Sequence, residues 1–189
     1  MDKFEVKETA EKYIYSDYAK FDDEIRRELI DGVIYMMAPA PSQKHQEISA
    51  ELTRQLKNFL LGKPCKVFHA PFDVCLNAAG DSDNTVVQPD VLVVCDKSKL
   101  DGKRCDGAPD FIIEILSPSN TKHDTLRKFD KYLQTGVREY WIIDPEREIV
   151  HTHVLKNVEY VTKLYSSTDV AAVSVLEGCM IDFNGVFAE

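Results

Sequence analysis

The chain is short of positive charge. Its 189 residues carry 23 Lys and Arg against 32 Asp and Glu, a formal net charge of −9. That balance excludes a generally basic, histone-like nucleic-acid binder, although a local basic patch stays compatible with it. No apolar run reaches the roughly 18 residues that a membrane-spanning helix requires, so no membrane partner is expected. The opening MDKFEVKETAEKY is charged and has no apolar core of signal-peptide length, which predicts a protein without a leader. The five cysteines, Cys65, Cys75, Cys95, Cys105 and Cys179, include no C-x-x-C pair. A disulfide framework or zinc knuckle is therefore not expected, and the reading is of reduced thiols in a cytoplasmic protein. Also missing are G-x-S-x-G, a P-loop, G-x-G-x-x-G and H-E-x-x-H, and with them the local signatures of the commonest hydrolase, nucleotide and zinc-protease sites.

What is present is an ordinary globular composition, 44% hydrophobic and 29% charged, without internal repeats or long linkers. It predicts one domain over residues 1–189. Residues 8–20 read as a short helix. Residues 24–38 read as a hairpin, with Asp31-Gly32 as a two-residue turn between apolar runs. Ser42 is a helix N-cap, and Ile48, Leu52, Leu56 and Phe59 form one apolar face over 43–61. Strands are predicted at 65–77, with a proline bend or edge, at 86–95 and at 108–117. A helix over 120–135 has Leu126, Phe129 and Leu133 toward the core and ends at Gly136. Strands follow at 139–144, 148–155 and 159–165. The order is that of an α/β or α+β fold with a central mixed sheet.

Two carboxylates stand where apolar residues are expected. Glu114 interrupts F-I-I-E-I-L, and Asp90 precedes V-L-V-V. An unpaired buried carboxylate costs several kcal/mol, so such a group calls for a cation, a hydrogen-bond network or a raised pKa. Acidic residues on neighbouring strands suit a shared hard cation such as Mg²⁺. The alternative is that both lie at solvated strand ends. Asp110 shares a face with Glu114 but lies roughly 13 Å from it along the strand, too far for one ion, whereas a neighbouring strand is about 5 Å away. Asp90 is thus the better partner. A nearby cation has to come from the next helix, where Lys128 shares a face with Asp124 and with Lys131 or Tyr132. An ordinary Asp124–Lys128 surface pair is the competing reading.

The ordered segments E-L-I-D-G (28–32), A-P-A-P-S-x-x-H-Q (38–46), Q-P-D-V (88–91), P-D-F-I-I-E-I-L-S-P-S (109–119) and D-x-x-x-K-x-x-x-Y-x-x-x-G-V-x-E-Y-W-I-I-D-P (124–145) resemble the Uma2 family, also called DUF820, of the PD-(D/E)XK nuclease superfamily. The resemblance covers roughly residues 20–155. It implies a restriction-endonuclease-like fold: a central mixed β-sheet flanked by helices, with an N-terminal β-hairpin. It implies a metal-dependent endonuclease hydrolysing phosphodiester bonds of nucleic acid, DNA in first place, with Mg²⁺ or Mn²⁺ held by Asp90 and Glu114. Glu28 matches the acidic residue near the N-terminus. The parent motif's lysine, two residues after the glutamate, is Leu116 here, and Lys128 would replace it from the following helix. These four residues, Asp90, Glu114, Lys128 and Glu28, are the expected catalytic set. The alternative is an inactive nuclease-fold module acting through nucleic-acid or protein binding.

Other expectations are less specific. His45, at the start of its helix, is expected to contact phosphate or orient Glu28. Lys97, Lys99, Lys103, Arg104, Lys122 and Arg127 would supply positive charge near a phosphate, or lie on solvated faces. His151 and His153 share a strand face that would suit zinc, or simply an exposed or subunit-facing strand. Trp141 reads as core or interface packing before a base-stacking platform. A homodimer is expected because one such site cuts one strand.

Overall fold

The computed structural model describes residues 12–23, 25–37, 41–117 and 122–188. In chain order the elements are α1 (Tyr15–Tyr18), β1 (Arg27–Ile30), β2 (Val33–Met36), α2 (Gln43–Phe59), β3 (Lys66–His69), β4 (Asp73–Cys75), β5 (Val86–Val87), β6 (Val91–Val94), β7 (Arg104–Asp106), β8 (Phe111–Ile115), α3 (Lys122–Thr135), β9 (Glu139–Asp144), β10 (Ile149–Lys156), β11 (Glu159–Ser166), β12 (Val170–Ala172), β13 (Met180–Asp182) and α4 (Phe183–Val186).

The main sheet has six strands in the order β11-β10-β9-β8-β6-β3, and β8 and β9 are its parallel pair. That pairing needs a crossover, and α3 supplies it. A second sheet runs β2-β1-β5-β4-β7. The chain passes between these two sheets five times, and two of the passages, from β3 to β4 and from β5 to β6, are only a few residues long. Pro71 and Pro89 lie in these passages, where a residue without an N–H cannot continue a ladder. The expected strands at 65–77 and 86–95 are therefore each split between two sheets.

Alternation along the strands sorts the main sheet into two buried faces. Val91, Val93, Phe111, Ile113 and Trp141 pack with Ile48, Leu52 and Leu56 of α2 and with Phe183. Leu92, Val94, Ile112 and Tyr140 pack with Tyr132 of α3 and with Ile30, Val74 and Val87 of the second sheet. Trp141 is core, edge-on to Phe111 at 5.0 Å and to Phe183 at 5.6 Å. The expected core stripe of α3 is shifted: Leu126 is 61% exposed, and the inward side carries Tyr132. The reason is that α3 faces a sheet junction lined with carboxylates as well as apolar groups.

The hairpin forms as expected, with Asp31 at φ 54° and Gly32 at φ 83°, the left-handed pair that a tight hairpin turn requires. A Cβ on Gly32 would also meet Lys12 Cβ at 2.9 Å. The expected helix at 8–20 shrinks to one turn, because the backbone N–H groups of Tyr13 and Tyr15 are taken by the Gly32 and Asp83 carbonyls; residues 8–11 lie outside the described residues. Ser42 caps α2, its hydroxyl accepting from the His45 N–H at 3.3 Å.

The cysteine expectation is corrected. Cys65 and Cys95 form a disulfide, while Cys75, Cys105 and Cys179 are free and buried. The pair Lys66 and Val94 is in register between β3 and β6, so the cysteines face each other one step beyond it. The missing C-x-x-C motif was no guide, because the partners are 30 residues apart in sequence. The nearby chain closure predicts that Cys95→Ser lowers stability by about 3–4 kcal/mol in a loop-entropy picture. Thiol titration of the unfolded wild type should give three thiols before reduction and five after.

His153 is buried beside Phe129, Tyr140 and Tyr160, with Nδ1 at 2.8 Å from Thr162 Oγ1. No His, Cys or carboxylate trio suited to a metal includes it among the described residues, and a packing role replaces the zinc reading. Burial, then the neighbouring His151, pushes its pKa down to about 4. Below the ordinary 6.5, the unfolded chain takes a proton that the folded chain refuses. The contribution is therefore full above pH 6.5 and is lost as pH falls toward 4. Urea unfolding across this window should show a shallower loss for His153→Phe than for wild type.

Candidate active site

The site lies where the second sheet, the end of the main sheet and α3 meet. β6 and β8 run antiparallel with Val91 opposite Ile113, and one further step of that register sets Asp90 opposite Glu114. Both residues fall on the face that carries Leu92 and Ile112, toward α3. Asp90 Oδ2 accepts the Ile115 backbone N–H at 2.8 Å. Asp110, at the far end of the same strand, instead accepts from the Cys95 N–H at 2.7 Å and from Arg138 at 3.0 Å. It takes no part in the site.

Lys128 joins the pieces. Its Nζ is 2.8 Å from Glu28 Oε1 and 3.0 Å from Glu114 Oε1. The Tyr132 hydroxyl, one helical turn on, donates to the same Glu114 oxygen at 2.7 Å. Glu28 Oε1 also accepts the Gln88 backbone N–H at 3.0 Å. The hairpin is held to α3 at two more points: Lys131 Nζ lies 2.6 Å from Asp31 Oδ1, and Arg127 stacks over the Tyr35 ring at 4.1 Å. Tyr35 is opposite Glu28 in the hairpin register, so the hairpin presents one face to the helix.

Three carboxylates meet here, with Lys128 between Glu28 and Glu114 and His45 against Asp90. Burial, only partly offset by Lys128 and with Asp90 and Glu28 adding to it, pushes the Glu114 carboxyl up to about 7. Lys128 is held well above the usual ammonium range: burial opposes its charge, and the Glu114 and Glu28 carboxylates outweigh burial. His45 is buried, with Nε2 3.4 Å from Asp90 Oδ2. Burial disfavours its charged form, but the Asp90 hydrogen bond and charge prevail and raise its pKa. The ring sits against Asp90 rather than against Glu28, the carboxylate expected from sequence.

The donor set suits a hard divalent cation. Buried Glu114 and half-buried Asp90 sit opposite each other on adjacent strands, and the contacts above use Asp90 Oδ2 and Glu114 Oε1. An ion there would add to the positive charge that Lys128 and His45 place against three carboxylates. The His, Cys or carboxylate trio whose ligand atoms lie within 4.8 Å of one another among the described residues is elsewhere: Cys75, Asp83 and Asp106. It is a poor metal site. Asp83 accepts N–H groups from Asn77, Ala79 and Thr85, Asp106 accepts from Gly80, and burial pushes the Cys75 thiol up to about 12.

The basic surroundings are thinner than expected. Arg104 points inward, paired with Asp81 and Asp101 and stacked on Tyr15, and Lys99 Nζ donates to the Ala108 carbonyl. The structure describes no Lys122 side chain. A hollow of about 370 Å³ adjoins the site through Gln88, but Arg27 and Arg26 on its wall are bound to Asp23 and Gln88, and no site carboxylate lines it.

Sequence reasoning did not find the backbone donors at Gln88 and Ile115, which carry no side-chain signal. It left Tyr132 as one of two options on the Lys128 face. The period of α3 favours Tyr132, four residues from Lys128. Replacing Lys128 with Met leaves two buried carboxylates without their cation. The variant should lose about 3–5 kcal/mol in urea unfolding, and adding Glu114→Gln should restore part of it.

Comparison with known proteins agrees with this architecture. A protein from Anabaena variabilis, whose crystal structure is described as that of "a putative nuclease belonging to DUF820", superposes with a TM-score of 0.73 at 20% identity, over 93% of this chain and 97% of that one. The uncharacterized protein slr1290 of Synechocystis is 27% identical over 129 residues, 67% of this chain and 65% of the relative, so the match spans just under two thirds of that protein. The Uma2 family profile, described as "Putative restriction endonuclease", matches residues 11–184, and the chain belongs to the Uma2 family.

Proposed function

We propose that the protein is a metal-dependent endonuclease that hydrolyses phosphodiester bonds in nucleic acid, DNA in preference to RNA. The observation that carries this reading is the meeting of three carboxylates at one sheet junction, Asp90 opposite Glu114 on adjacent strands and Glu114 joined to Glu28 through Lys128. The family and the fold of the Anabaena protein support it.

In this reading Asp90 and Glu114 hold Mg²⁺ or Mn²⁺. The ion, when bound, supplies a Lewis acid for a phosphate oxygen and lowers the pKa of a water. The residues do the rest. Lys128 keeps its proton at neutral pH and places positive charge where phosphorane charge develops. Glu28 fixes the Lys128 ammonium from the second sheet. Tyr132 holds the Glu114 carboxylate by one oxygen, and His45 and the Ile115 N–H do the same for Asp90. Such supporting contacts set ligand direction and are commonly worth about 10–100-fold.

The test is nicking of supercoiled plasmid with Mg²⁺ or Mn²⁺. Asp90→Ala and Glu114→Ala should each lose more than about a hundredfold, and Tyr132→Phe about tenfold. Equal cleavage by wild type and both alanine variants would remove the assignment. Calorimetric Mn²⁺ binding that depends on Asp90 and Glu114, without cleavage of DNA or RNA, would select the inactive binding module instead.

A further inference from the structure

β11 forms one margin of the main sheet. Its eight residues pair with β10 in unbroken register from Glu159–Lys156 to Ser166–Ile149, and among the described residues no strand pairs with its other side. An edge this long, without proline, glycine or bulge, is a template for another strand. It is also apolar for an edge: Val161 and Leu164 are exposed, and Val158 at the hairpin tip is 87% exposed.

We propose that this edge is the interface with a second copy of the same chain. The partner is fixed by charge complementarity within the strand itself. A two-fold axis perpendicular to the sheet pairs β11 with itself antiparallel and keeps each side chain on its own face. With the axis at Val161, Glu159 of each copy lies directly opposite Lys163 of the other, Tyr160 lies opposite Thr162, and the two Val161 side chains meet. Opposite charges facing across strands are stabilising and like charges are not. The hairpin tip with Val158 then lies near the exposed Leu164 of the second copy. The six-stranded sheet becomes continuous across both copies, and the backbone groups of the outer edge find partners. The active sites stay at the second-sheet side of each copy, away from the contact.

The register makes the idea testable by charge exchange. In light scattering coupled to gel filtration, wild type should run at twice the mass of one chain. Lys163→Glu sets Glu against Glu twice and should halve that mass. Glu159→Lys combined with Lys163→Glu should return it to the dimer value. Circular dichroism on each variant separates loss of pairing from loss of fold. Val161→Cys gives an independent readout, since directly opposed strand residues lie within disulfide reach. The free native thiols are buried, so mild oxidation should yield a covalent dimer band that reductant removes. A monomeric wild type, a dimer mass indifferent to Lys163→Glu, or absence of the Val161→Cys cross-link would each overturn the proposal. Capture of a foreign strand by a monomeric wild type would assign the edge to another partner.

Discussion

The ammonium of Lys128 is the tie on which the arrangement of this protein depends. It binds Glu28 from the hairpin and Glu114 from the main sheet within 3.0 Å, and so joins three elements that share no continuous ladder. A buried ion pair seldom adds much net stability, because desolvation opposes the attraction, but removing one partner is costly. Its contribution is to exclude alternatives: the hairpin can meet α3 in one register only. Lys131 with Asp31 and Arg127 with Tyr35 repeat that constraint along the same helix face.

The same tie explains why buried carboxylates are tolerated here and how they differ from a buried acid elsewhere in the main sheet. Glu139 is fully buried, yet it accepts from the Trp141 indole N–H and the Val175 N–H. That carboxylate is absorbed into packing at the opposite face. At the junction, by contrast, three carboxylates are set against Lys128 and His45, and burial with its acidic neighbours pushes the Glu114 carboxyl up. Acids perturbed by burial and by one another are a common physical mark of a working site.

Much of this was legible in the chain. Glu114 inside F-I-I-E-I-L stands out as an anomaly, and strand geometry favours Asp90 as its neighbour over Asp110, whose carboxylate lies on the Cys95 N–H and Arg138. The Asp31-Gly32 turn and the Ser42 cap were local signals with local causes. What failed was non-local. Leu126 looked apolar and inward, but the face of α3 is set by what it packs against. The Cys65–Cys95 bridge depends on a strand register no spacing rule records. Arg104 looked like a surface cation until the Asp81 loop folded over it. The division of two apolar stretches between two sheets was hinted at by Pro71 and Pro89 but not determined by them.

The order of the site residues along the chain has a consequence for synthesis. Glu28 comes early, Asp90 and Glu114 in the middle, and Lys128 on the crossover helix between the parallel strands β8 and β9. Contacts so distant in sequence form late, after the loops between them have closed. No fragment that stops before α3 contains the full cluster, because it lacks Lys128. A nascent or cleaved chain therefore lacks the charge arrangement on which the proposed phosphodiester chemistry rests, and that chemistry is confined to the finished fold.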